Sequence, residues 1–238
     1  MESKPTRNGF GEGIVELGKE DKDIVVLSAD VSDSTRASYF AKNFPERFFN
    51  VGVAEQNLIG VAGGLALAGK TVFISTYGVF GTCRALDQIR TTICFSNLNV
   101  KIVGTHGGLL VGADGATHQA LEEITLMRVL PNMRVIVPCD VIEAKKATLI
   151  AGKIKGPFYL RLGREPIPII TDENTPFTFG KIEEFHSGKD VTIIACGVMD
   201  SLALESIKEL EKEGISVKLL NLHTVKPLDG ETIFNAAK

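Results

Sequence analysis

Glu55 is the only charge in the stretch VGVAEQN at 51–57, and Leu58, Ile59, Gly60 and Val61 follow it directly. A carboxylate at the head of a buried helix is costly unless it is paired, hydrogen-bonded or kept protonated. It is either a helix N-terminal acid favoured by the helix dipole, worth about 0.3–1 kcal/mol when exposed, or a group with a specific partner. A second concentration of chemistry is THGGLLVGADGATHQ at 105–119, where His106, Asp114 and His118 stand among glycines. Imidazole and carboxylate there could move protons or bind hydroxyls, or could be ordinary loop residues; their spacing is not that of a zinc site. Arg161 and Arg164, with Arg7 and Ser34, could clamp an anion, because guanidinium matches phosphate bidentately; as solvated charges they would do nothing. Tyr77 and Phe80 are either core aromatics or stacking platforms.

Positioning these residues falls to six short β-rich runs at 24–30, 48–54, 71–77, 100–107, 134–140 and 157–163. Helical patterns at about 8–21, 54–69, 80–96, 118–129 and 141–154 alternate with them. Strands apolar on both faces and separated by helices imply an α/β fold with a doubly wound parallel sheet. Ligands of such sheets sit beyond the carboxyl ends of the strands. That is where positions 30–34, 55, 77–80, 106–118 and 161–164 fall, so Asp30 joins the candidates.

Residues 1–165 are therefore expected to form one domain and the proline-rich stretch 166–180 a linker. A strand at 190–197, an amphipathic helix at 201–214 closed by glycine and a strand at 216–223 begin a second α/β unit over 181–238. That unit is too small to close a core alone, so either it leans on the first domain or it is shortened.

Composition narrows the classes. The chain has 238 residues, 44% of them apolar, enough for a substantial core. Its 26 basic and 29 acidic residues, a net charge of -3, give neither a nucleic-acid footprint nor an anionic-membrane anchor. Four cysteines with no CxxC pair point to a reduced, cytoplasmic setting. The N-terminus carries no apolar signal-like segment, so the chain is expected to be mature as written. Lys70 interrupts the apolar run at 58–81, which reads as helix then strand and not as a membrane span. A phosphate loop, GxGxxG and GxSxG are all missing, which removes support from hydrolase and dinucleotide-oxidoreductase readings.

Taken together and in order, VGVAEQN, STYGVF, VGADGATHQ and HTVKPLD resemble the thiamine-diphosphate enzymes of the transketolase group. The likeness covers nearly the whole chain and is to the separately encoded C-terminal half of a split transketolase: a pyrimidine-binding domain and the start of a C-terminal domain. The family's diphosphate motif, a GDG with a later asparagine, is absent. The resemblance therefore implies thiamine diphosphate shared with an N-terminal transketolase subunit, magnesium bound by that partner, and a homodimer or heterotetramer.

It further implies that Glu55 hydrogen-bonds the aminopyrimidine ring nitrogen and promotes the imino tautomer that activates the thiazolium. Phe80 would pack on the pyrimidine, with Tyr77 nearby and Asp30 near the cofactor at the subunit interface. His106 and His118 would act at the substrate and its reacting carbons, and Asp114 would recognise a donor hydroxyl. Arg7, Ser34 and Arg164 would hold the sugar phosphate. The implied activity is transfer of a two-carbon ketol unit between sugar phosphates, in the pentose phosphate pathway. Cys83 stands where many single-chain members have a tyrosine. Deoxyxylulose-phosphate synthases share VGADGATHQ but usually lack a histidine at the place of His106, which favours transketolase. A synthase of that kind, a 2-oxo acid dehydrogenase beta subunit and a non-catalytic assembly subunit remain the alternatives.

Overall fold

The strand sequences alternate so that both faces of one sheet are apolar, and helices are needed to cover each of them. The computed structural model describes residues 2–238. Its first part runs β1 (Ser3–Lys4), α1 (Thr6–Glu20), β2 (Ile24–Ser28), α2 (Ser32–Thr35), α3 (Ser38–Asn43), β3 (Phe48–Asn50), α4 (Glu55–Leu67) and β4 (Thr71–Tyr77). It continues through α5 (Leu86–Gln88), β5 (Val100–Thr105), α6 (Glu123–Val129), β6 (Arg134–Ile136), α7 (Val141–Lys153) and β7 (Phe158–Arg161). There follow β8 (Ile167–Pro168), β9 (Glu183–His186), β10 (Val191–Ala195), α8 (Met199–Lys212), β11 (Val217–Asn221), β12 (Thr224–Lys226) and α9 (Gly230–Ala236).

The main sheet has the order β12-β6-β7-β5-β4-β2-β3, and all its pairings are parallel except β12 with β6. On one face Ile24, Val26, Phe73 and Phe158 pack with Phe10, Ile14 and Leu17 of α1, Phe40 of α3 and the alanines of α7. On the other, Val25, Leu27, Val72 and Ile102 pack with Leu58, Ile59 and Ala62 of α4 and with Met127 of α6. Period-two alternation thus gives each helix layer its own core. A Cβ on Gly9 of α1 would collide with the backbone carbonyl of Val141, so α1 and α7 pack this closely only because position 9 has no side chain.

Two expected elements differ. The helix over 80–96 is broken into two π-helical turns, Phe80–Arg84 and Ile89–Cys94, around the single turn α5. Wider i→i+5 turns of this kind are a local distortion often found at functional sites. The helix expected from 118 begins only at Glu123, because 112–118 is spent on two 3₁₀ turns. Gly112 there has φ 64°, and a Cβ would lie 2.6 Å from Glu165 Oε1 and 3.0 Å from Arg164 Nη1. The positive φ favours glycine in that turn, whereas the side-chain ends of Glu165 and Arg164 can move aside.

The stretch after β7 is tied down. β8 pairs antiparallel with β1, and Asp140 both caps α7, accepting from the amides of Ile142 and Glu143, and binds the amides of Ile170 and Thr171. One carboxylate thereby joins a helix start to the segment that leaves the first sheet. The second unit, a three-stranded sheet β10-β11-β9 covered by α8, leans on the first: β12 crosses over and completes the main sheet beside β6.

Their junction buries acids. Glu143 accepts from the Cys139 amide at 2.6 Å and from Asn221 Nδ2 at 2.7 Å. Asp200, 0% exposed at the start of α8, has no hydrogen-bond partner for either carboxylate oxygen. Burial, and then the charge of Glu143, push the Asp200 carboxyl up to about 8. An unfolded aspartate ionises near 4, so between these values the folded chain holds the extra proton and stability falls as pH rises. Buried His106 and His223, each lowered by burial to about 4, act in the opposite sense below about 6.5. The carboxyl of Glu143, raised by burial to about 7, titrates in the same window, so comparing Asp200→Asn with wild type reads this coupled pair apart from the histidines. The variant is expected to unfold roughly 5 °C higher at pH 8 and at nearly the same temperature at pH 4. Thermal unfolding followed by circular dichroism checks it; an equal gap at both pH values would refute the assignment.

Candidate functional site

The parallel order places the carboxyl ends of β2, β4, β5 and β7 along one edge, and three non-glycine residues just beyond strands or nearby turns adopt left-handed backbone there: Asp30 (φ 63°), Arg36 (φ 69°) and His106 (φ 61°). Such conformations are costly for ordinary side chains and cluster at functional sites.

Tyr77 ends β4 and His106 follows β5, and their rings meet with centroids 4.0 Å apart. The π-helical turn after β4 brings Phe80 to 6.1 Å from Tyr77, and the glycine-rich loop returns His118 to 5.0 Å from Phe80, edge to face. Four rings from three separate segments thus form one cluster. His106 is 1% exposed, and Thr105 Oγ1 lies 2.8 Å from its Nδ1. Burial, with the nearby charge of Arg7, lowers its pKa to about 4, so the ring is neutral at physiological pH. It can therefore hydrogen-bond a substrate without repelling a neighbouring cation. Its Nε2 is 3.7 Å from Asp114 Oδ2, and Arg164 Nη1 reaches the same oxygen at 3.2 Å. Arg164 Nη1 also donates to the carbonyl of Val111, fastening the loop that carries Asp114.

Arg7, at the start of α1, donates from Nη1 to the main-chain carbonyl of Ser34 at 2.7 Å, so it is the backbone of Ser34 that it meets. Its Nε is buried without a hydrogen-bond partner. Burial first, then Arg36 and Arg164, lower the Arg7 pKa. A guanidinium whose charge two neighbouring arginines disfavour, and which carries an orphaned donor, is suited to an anion.

Glu55 opens α4 and is 2% exposed, and the structure gives it a protein partner: Arg84 Nη1 donates to Oε2 at 2.7 Å. The same guanidinium lies over Phe80, with Cζ 4.7 Å from the ring centroid, so it links the acid to the aromatic cluster.

The edge therefore gathers Tyr77, Phe80, His106, His118, Asp114 and Arg164, with Arg7 and Ser34 on the cationic side and Glu55 reached through Arg84. Asp30 stands apart: it is exposed and forms a reciprocal pair with Asn50, Oδ1 accepting from Nδ2 at 2.8 Å and its amide donating to Oδ1 at 2.9 Å. Arg161 also separates from Arg164, its Nε bonding Glu123 Oε1 at 2.9 Å against a carboxylate 1% exposed. It braces the glycine loop instead of clamping an anion. Cys83 is half-buried, with its Sγ 3.5 Å from Glu122 Oε1 and its thiol pKa raised by burial. Sequence reasoning missed Arg84 and Arg36. No helical spacing marks Arg84, which meets Phe80 across a π-helical turn, and Arg36 falls two after Ser34.

An aminopyrimidine fits what is here: a buried carboxylate for a ring nitrogen and an aromatic face beside it. No group of three or more His, Cys, Asp or Glu among the described residues is placed to hold a metal ion.

Comparison with known proteins agrees with this geometry. The family model of the transketolase pyrimidine-binding domain matches residues 2–168, and that of the transketolase C-terminal domain matches residues 180–238. A Methanocaldococcus jannaschii protein assigned as a transketolase C-terminal section is 47% identical over 97% of this chain and 73% of its own length. The 6-deoxy-6-sulfo-D-fructose transketolase subunit SqwH of Clostridium sp. is 38% identical over 100% of this chain and 74% of its own. A split-gene transketolase solved as an inactive beta4 tetramer superimposes with a TM-score of 0.91 at 48% identity, covering 99% of this chain and 77% of that one. Matched by both domain models in order, and closely related in sequence along nearly its entire length, the chain belongs to the transketolase family.

Proposed function

We propose that this chain is the pyrimidine-binding subunit of a split, thiamine-diphosphate-dependent transketolase. It would move a two-carbon ketol unit between sugar phosphates together with a second subunit that supplies the diphosphate and magnesium sites. When bound, thiamine diphosphate supplies a carbon nucleophile and an electron sink. Glu55 would orient the aminopyrimidine through its ring nitrogen, and Phe80 would pack on its face, with Tyr77 behind. His106, neutral at working pH, and His118 would contact the reacting end of the sugar. Asp114, oriented by Arg164, would accept from a substrate hydroxyl, and Arg7 and Arg164 beside Ser34 would bind the terminal anion. Asp30, exposed at the end of β2, would contribute where a second chain docks, in a homodimer or a heterotetramer with two partner subunits.

The observation that carries this reading is the meeting of a buried acid, an aromatic face and an arginine cluster with an unsatisfied donor at one strand edge. The relative named for a sulfonated fructose suits it, since a sulfonate and a phosphate ask the same thing of a guanidinium clamp.

Reconstitution is the test. The chain alone should transfer no ketol units, and mixing it with a subunit bearing the diphosphate-binding half should produce transfer from ketose phosphate to aldose phosphate. A mixture that binds thiamine diphosphate yet turns over only pyruvate would replace this activity with the synthase or dehydrogenase alternative.

A further inference from the structure

The Arg84 guanidinium spans the two groups that the pyrimidine-binding reading assigns to the cofactor ring: the Glu55 carboxylate at 2.7 Å and the Phe80 ring at 4.7 Å. A guanidinium is planar, delocalised and weakly hydrated, so it pairs with carboxylates and stacks on aromatic faces much as a protonated heterocycle does. The two ends of the pair differ in freedom. Glu55 is 2% exposed and fixed at the first turn of α4, whereas the Arg84 side chain is 47% exposed and has a path to solvent. Gln56 Nε2 donates to the Arg84 carbonyl at 3.2 Å, tying that backbone to α4, so the side chain can move while the main chain stays.

The geometry points to Arg84 as a built-in competitor of the aminopyrimidine, holding the Glu55 carboxylate and the Phe80 face and swinging to solvent when the ring takes them. The inference rests on the pyrimidine-binding reading. Arg84 takes Oε2 and lies over the Phe80 ring, so a pyrimidine that uses that oxygen and that face displaces it. The affinity measured for the cofactor is then lower than the site would otherwise give. The pair also shields a buried acid that would otherwise lack a countercharge.

The test uses the complex reconstituted with the partner subunit, with magnesium present, and titrates thiamine diphosphate by calorimetry. Arg84→Met keeps the apolar stem and removes the charge, and it is expected to tighten binding about three- to tenfold, the scale of a half-exposed ion pair. In a Glu55→Gln background the same change is expected to have little effect, since the two residues act through each other. Unchanged or weaker binding by Arg84→Met overturns the proposal; weaker binding would make Arg84 a cofactor ligand. If Arg84→Met does not fold, Arg84→Gln, which also removes the charge, serves in its place and must also bind more tightly. Failure of the underlying reading has a separate signature: Arg84→Met with and without Glu55→Ala binding thiamine diphosphate equally would remove Glu55 from the site.

Discussion

Glu55→Ala, assayed in the reconstituted complex, is expected to lower kcat for ketol transfer by about 10²- to 10⁴-fold, the range for removing a positioned proton-handling group. The effect should be catalytic and not a loss of fold. Glu55 is buried, but its partner Arg84 is half exposed and can find water once the acid is gone, so no uncompensated charge is left in the interior. Glu55→Gln keeps the shape and a hydrogen-bonding side chain but cannot share a proton with a ring nitrogen, so it should fall nearly as far. Steady-state rates measured alongside unfolding temperatures check both points. Near-normal turnover by either variant would remove the acid from the mechanism and leave it as a helix-start charge.

Arg7→Met is expected to raise KM for phosphorylated substrates about 10- to 100-fold, the loss of one charge-assisted hydrogen bond at about 1.5–3 kcal/mol. Rates with unphosphorylated sugars should change little. The reason is electrostatic. Arg7 carries a buried Nε without a partner and sits where Arg36 and Arg164 already disfavour its charge. An anion relieves that repulsion, so the site gains more from phosphate than an isolated surface arginine would. The same argument predicts that Arg7→Met does not destabilise the chain strongly, since it removes a partly buried cation that Arg36 and Arg164 both disfavour. An equal rise in KM for phosphorylated and unphosphorylated substrates would show that Arg7 shapes the loop and does not bind the anion.

On the proposed function, the two variants probe a cofactor end and an anion end of the edge. His106 and Asp114 lie between them. The neutral state of His106 follows from its burial beside Arg7, which makes it a hydrogen-bonding group there and not a second cation. Arg164 has two tasks, since it holds both Asp114 and the carbonyl of Val111, so its removal would disturb the loop as well as the anion site. That is why Arg7 is the cleaner probe.

Much of this was written in the chain. Runs such as Ile24 to Ser28 and Thr71 to Tyr77 are apolar on both faces, and only a covered parallel sheet accommodates such strands. From that sheet followed the edge where chemistry should lie, and a lone acid at the head of an apolar helix marked Glu55. Tyr77, Phe80 and His106 were legible because each ends or closely follows a strand, and Asp114 and His118 because they lie in the glycine-rich loop that follows one.

What the sequence could not decide was pairing at a distance. Arg161 and Arg164 are three residues apart and alike in type, yet one turns to Glu123 and the other to Asp114. The choice depends on which carboxylate the fold brings near, not on any local preference. The helix expected at 80–96 was interrupted by π-helical turns whose register sets Arg84 over Phe80, and a helical period cannot foretell such an insertion. β12 joined the first sheet from the far end of the chain, and Asp140 tied α7 to residues 170–171, because open strand edges and backbone amides are satisfied by whatever the tertiary fold places beside them. Local patterning therefore determined the layers and named most of the polar and aromatic residues that gather at one edge. Only the closed fold decided which charge each of them faces, because Coulomb and hydrogen-bond energies depend on distances that hydrophobic packing sets.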